Sequence, residues 1–258
     1  FACNAAVHLE RLGQIDGATP DAYHLAVLIF VLLIVVIGGR IVPAFTTNAL
    51  RRLGETTLPS SPAILERAGI LAVAAMIIAQ AAGAESWIVG GLSAIAALAN
   101  GLRLSRWRGL RTLGMPIVWV LHLGFLLVVL GLAVKAWAAF DDAIAPATAL
   151  HLLTIGGIGT MTLAVMTRAA LGHTGRVIHA SPAIVTAYVL LPVAALVRVA
   201  GPVLLPEFYN EAMILSATAW ITAYVLFVVR FWPVLTQPRG RDEDEAAGQP
   251  ASRRAAGE

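Results

Sequence analysis

"WVLHLGFLLVVLGL" (119–132) sets one histidine and two glycines among eleven apolar residues and carries no full charge. A helix of this composition offers water no polar face. Extended to 115–137, the run is long enough to cross the hydrocarbon core of a bilayer. A water-soluble helix would instead show an amphipathic period.

The rest of the chain agrees. Its 258 residues are 59% hydrophobic and 13% charged, with a mean hydropathy of +0.81, outside the range of soluble domains. Apolar runs separated by short polar segments predict seven spans, at about 21–43, 63–83, 86–101, 115–137, 147–167, 182–201 and 211–233, the third being the weakest. Pro20, Pro43, Pro59, Pro62, Pro116, Pro146, Pro182, Pro206 and Pro233 mark the boundaries, as proline does where helices open or close. Trp87, Trp107, Trp137 and Trp232 fall near proposed ends, where interfacial anchors sit. The expected fold is all-α, a polytopic transmembrane helix bundle over 21–235. Residues 1–20 read as the stump of a preceding helix and an outer loop, and 236–258, charged and rich in Gly, Pro and Ala, as a disordered cytoplasmic tail. "FACNAAVHLERLG" (1–13) opens without methionine and resembles neither a span nor a signal peptide, so the chain is expected to be the C-terminal part of a longer protein.

Charge sets the expected orientation. Of 18 Lys and Arg, all but Arg11, Lys135 and Arg198 fall on one side of the seven-span arrangement, which places the loops 44–62, 102–114 and 168–181 and the C-terminus in the cytoplasm. The net charge of +3 is scattered over loops, so the expected partner is the lipid bilayer and not nucleic acid. Cys3 is the sole cysteine, which excludes an internal disulfide, a CxxC zinc knuckle and a CxxCH haem attachment. No P-loop, HExxH or GxSxG motif is present, so nucleotide, zinc or serine hydrolysis has no local support.

Histidines are the remaining chemistry. His8, His24 and His151 all fall near the outer face, and neutral imidazole serves haem iron, copper or zinc alike. From spacing alone, His8 and His24 read more readily as interfacial residues. His151 reads equally as a ligand or a core histidine, because Thr154, Ile155, Ile158, Thr162 and Val165 follow it on one helical face, a stripe expected to face the bundle. His122, mid-span, is either a functional residue or one bonded to a neighbouring helix. Met161 and Met166 are better read as core filler than as copper ligands. Gly156, Gly159 and Thr160 suit close helix approach. Arg40, Arg168 and Arg176, with His173 in the adjoining loop, are expected to form a polar cap at the cytoplasmic end, although snorkelling also accounts for Arg40. Pro192 and the pair Gly90/Gly91 are the candidates for interrupted helices. Glu85, Asp141, Asp142, Glu207 and Glu211 sit at helix ends, so no run of intramembrane carboxylates supplies a proton path.

"GGRIVPAFTTN" (38–48), "WVLHLGFLLVVLGL" (119–132) and "HLLTIGGIGTMTLAVMTRAALGHTGR" (151–176) closely resemble the NnrS family of bacterial membrane proteins. The resemblance implies an inner-membrane haem and copper protein of about twelve helices, tied to denitrification, the nitric oxide response and resistance to nitrosative stress. Nitric oxide is then the expected ligand, and turnover would need an electron donor. The family's N-terminal histidine-rich motif has no counterpart in this chain. His24, His122, His151 and His173 match by position, with His151 and His24 the leading candidates for haem or copper ligation. A cofactor-free transporter and an assembly factor for another haem-copper complex are the alternatives.

Overall fold

The structure, a computed structural model, describes residues 1–17 and 19–238, the side chains of Thr19 and Pro20 excepted. The tail expected from 236 onward falls almost wholly outside the described residues. A short helix α1 (Ala2–Arg11) packs against the first of seven helices long and apolar enough to cross a membrane. These are α2 (Asp21–Arg52), α3 (Ala63–Ala81), α4 (Ser86–Ser105), α5 (Pro116–Ala138), α6 (Pro146–His173), α7 (Pro182–Leu204) and α8 (Pro206–Thr236). No strand occurs among the described residues. The protein is thus an all-α, multi-pass membrane protein.

The chain zigzags, so the start of α2 shares one end of the bundle with the ends of α3 and α5 and the starts of α4 and α6. This will be called the His24 end. The other end holds most of the arginines. The most buried span is α5; it packs against α4 and α6 and touches α2 and α7. Glycines set its approach to α6. A Cβ on Gly157 would stand 2.7 Å from Val128 Cγ2, and one on Gly124 would stand 2.8 Å from Met161 Cγ. Without a hydrophobic driving force between helices in lipid, such close packing is a main source of cohesion. Met161 is accordingly core filler, 3% exposed. At the other extreme, α8 packs mainly on α7 and exposes Ile221, Val225 and Val229, as a lipid-facing helix does.

Several spans differ from their expected form. Pro43 does not close α2, which continues to Arg52 with Pro43 inside it, so residues 44–52 are helix and not loop. Likewise α6 runs on to His173, and the weak third span reaches Ser105. In the polar stretch after Pro43, the hydroxyls of Thr46 and Thr47 bond back to the carbonyls of Val42 and Pro43, both at 2.8 Å, so the threonines continue the helix. Pro192 and Gly90/Gly91 interrupt nothing, lying within continuous helices. The irregular turns are π-helical, at Ile34–Gly38 in α2 and Leu152–Ile158 in α6. The second rotates everything beyond it off the 3.6-residue period. The stripe expected from His151 therefore fails to face the bundle throughout. Thr162 is exposed, while Gly156, Gly157, Thr160 and Met161 are buried.

Trp87, Trp137 and Trp232 are exposed, but Trp107 is fully buried. Its indole donates to Ser61 Oγ at 3.0 Å and meets the Phe125 ring edge-on at 4.7 Å. It is a core residue, not an interfacial anchor, because the segment after α4 folds back beneath the bundle.

Candidate functional site

At the His24 end, the helix termini leave a cavity of about 320 Å³ whose mixed lining includes Asp21, His24, Gln80 and Lys135 beside Leu28 and Leu153. Asp21 and His24 are three residues apart and so neighbours on one helical face. Gln80 Oε1 is buried without a hydrogen-bond partner among the described residues. Lys135 comes from the last turn of α5. Here the chain brings an imidazole, a carboxylate and an ammonium to one solvent-sized space within an otherwise apolar bundle.

His151 belongs to the same end but does not line this cavity. Its Nε2 lies 3.3 Å from Nη2 of Arg198, whose Nη1 donates to Met213 Sδ. Arginine is always a donor, so this contact uses the lone pair with which Nε2 would bind a metal. His8 is exposed on α1. His24 and His151 share an end, yet no group of three His, Cys, Asp or Glu suited to a metal occurs among the described residues.

The opposite end contains a buried polar cluster. His122 Nε2 and Thr46 Oγ1 are 2.8 Å apart, which ties α5 to α2. The Nδ1 of His122 is buried without a partner, close against Gly109, where a Cβ would stand 2.7 Å away. One turn inward, Arg103 is 1% exposed. Its Nη1 donates to Asn100 Oδ1 at 2.8 Å and to the Val35 carbonyl, inside the π segment of α2, at 3.3 Å. Its guanidinium stands 5.7 Å from the centre of the Trp107 ring and 6.0 Å from that of Phe125. Asn100 Nδ2 in turn donates to Ala96 O and Gly69 O. Gly39 leaves the space that the guanidinium occupies, since a Cβ there would collide with Nη2. Burying a guanidinium costs several kcal/mol unless partners compensate; Nη1 joins α4 to α2, while Nε and Nη2 are buried without a hydrogen-bond partner among the described residues.

The arginines expected to form a polar cap are engaged separately. Arg40 lies largely exposed, 3.8 Å from Glu66. Arg168 places its guanidinium 3.8 Å over the Phe45 ring. Arg176 donates to Val234 O and Pro238 O at 2.9 and 3.2 Å, binding the end of α6 to that of α8. His173 is the exposed last residue of its helix.

Arg103 and Asn100 were missed as site residues, because ending the third span at 101 turned Arg103 into one more loop cation. The usable signal was Asn100 and Arg103 at i and i+3 between Ala96 and Leu104. Two polar residues on one face of an apolar helix mark an inward-facing site. Lys135 and Arg198, counted only for orientation, proved to be the cations beside His24 and His151.

Of the groups implied by the resemblance, copper or haem iron needs imidazole nitrogens free to bind. His24 lines the cavity at its end of the bundle. His151 turns Nε2 to Arg198, His122 turns Nε2 to Thr46 and keeps Nδ1 without a partner, and the described residues gather no group of three His, Cys, Asp or Glu suited to a metal. They therefore assemble no three-ligand copper centre, whereas a single imidazole can hold a haem.

A protein-family model described as "NnrS protein" matches residues 1–239. Among curated proteins and among solved structures, no match to the chain was found.

Proposed function

Because the chain belongs to the NnrS family, we propose that it acts in the bacterial nitric oxide response, in denitrification and under nitrosative stress, as a haem- and copper-bearing protein of the inner membrane. The family match over 1–239 carries this reading. In it, His24 is the metal ligand that these residues contribute, facing the cavity shared with Asp21 and Lys135. Iron with an open axial position takes diatomic ligands, and its surroundings decide between binding and activation. The His24 end faces outward and the arginine-rich end, with the C-terminus, faces the cytoplasm. Nitric oxide is the ligand, and an electron donor is required only if it is reduced.

The test is the haem and copper content of the full chain purified in mild detergent, beside His24→Ala. Stoichiometric haem in the wild type, lowered in a variant that elutes normally, is the expected result. Absence of both metals from the wild type overturns the reading and returns the chain to the transporter or assembly class.

A further inference from the structure

At the arginine-rich end, a groove of about 690 Å³ opens between the end of α4, the start of α5 and the segment joining them. Leu104, Leu110, Leu113, Trp119, Leu123 and Leu126 form its apolar wall, and Arg108 and Arg111 also line it. Leu110 and Leu113 are 84% and 66% exposed, which suits a lipid-facing segment. Arg108 sits in the left-handed region, φ +57°, uncommon for a residue with a side chain, and its Nε is buried without a partner. Arg111 is only loosely paired, 3.9 Å from Glu55. No carboxylate lines the groove.

We propose that this groove is a binding site for an anionic phospholipid, with the phosphate and acidic headgroup on Arg108 and Arg111 and an acyl chain along the leucines. Charge complementarity selects the occupant. Two guanidiniums supply donors for phosphate oxygens, whereas the ammonium of a zwitterionic headgroup finds no carboxylate in the lining. Basic pockets between spans at a membrane face hold acidic headgroups in this manner. His122 also lines the groove; its Nε2 is held by Thr46 at 2.8 Å, and its Nδ1 is buried beside Gly109 without a partner among the described residues. The site stands independently of the metal centre proposed at the other end.

Native mass spectrometry of the full chain, titrated with phosphatidylglycerol or phosphatidylcholine of matched acyl chains, tests this. The expected result is preferential retention of phosphatidylglycerol, reduced roughly fivefold by each of Arg108→Asn and Arg111→Gln. Asparagine is chosen because it tolerates the left-handed backbone. Leu123→Trp, which fills the groove, lowers retention of both lipids, and Arg230→Ala, outside the groove, leaves the preference intact. Equal retention of the two lipids by the wild type, or an undiminished preference in the Arg108→Asn/Arg111→Gln double variant, overturns the proposal.

Discussion

The Nη1 of Arg103 lies 3.3 Å from the carbonyl oxygen of Val35, a residue 68 positions earlier in the chain. The acceptor is inside a π-helical segment, where the extra residue disturbs the usual ladder of helix bonds. A buried cation and an irregular turn thus meet at one point; Asn100 Oδ1 accepts from the same Nη1 at 2.8 Å, while Nε and Nη2 are buried without a hydrogen-bond partner among the described residues. This makes the contact between α2 and α4 directional as well as apolar.

Asn100→Leu removes an acceptor and leaves the guanidinium buried with fewer partners. Loss of a partner from a buried charge costs about 3–5 kcal/mol, so the variant should melt well below the wild type in detergent. Asn100→Leu/Arg103→Met, which removes the charge too, should recover part of that loss. A double variant less stable than Asn100→Leu would show that Arg103 is not held as described.

Glycines give a paired comparison. Gly39→Ala drives a methyl into the Arg103 guanidinium, while Gly91 has nothing within 4 Å of a Cβ. Overpacking of this kind costs about 1–3 kcal/mol, and an open helical site should change by about 0.5 kcal/mol or less. Thermal unfolding followed by size-exclusion chromatography separates the two; equal melting temperatures would contradict the packing.

His122→Phe forfeits the bond to Thr46 and keeps the aromatic bulk beside Trp107. It should cost about 1 kcal/mol and leave haem and copper content unchanged. Loss of metal on this substitution alone would move the ligand from His24 to His122, whose Nδ1 has no partner among the described residues.

At the other end, His151 and Arg198 should be energetically coupled. A cycle of His151→Gln, Arg198→Gln and the double variant should return an interaction of about 0.5–3 kcal/mol in unfolding. Strict additivity would remove the contact from the account.

The spans were legible because prolines and short polar segments bound apolar runs of the right length. The π turns were not, since the residues of Leu152–Ile158 would suit an ordinary helical turn equally well. That hidden turn is why Thr162, aligned with His151 by counting, lies exposed. Composition also cannot tell an inward tryptophan from an outward one, so Trp107 needed its partner Ser61, 46 residues away, to be placed. At the candidate site, the histidines were visible from the start, but their accessibility was not. Arg198 engages His151, Thr46 engages His122, and neither partner is near in sequence.

The most direct test of the metal-centre reading is the visible spectrum of the reduced full chain before and after nitric oxide, for the wild type, His24→Ala and His122→Phe. The account predicts haem bands that shift with nitric oxide in the wild type and His122→Phe and are lost or strongly weakened in His24→Ala. A colourless wild type, or a His24→Ala spectrum indistinguishable from a haem-bearing wild type, would contradict it.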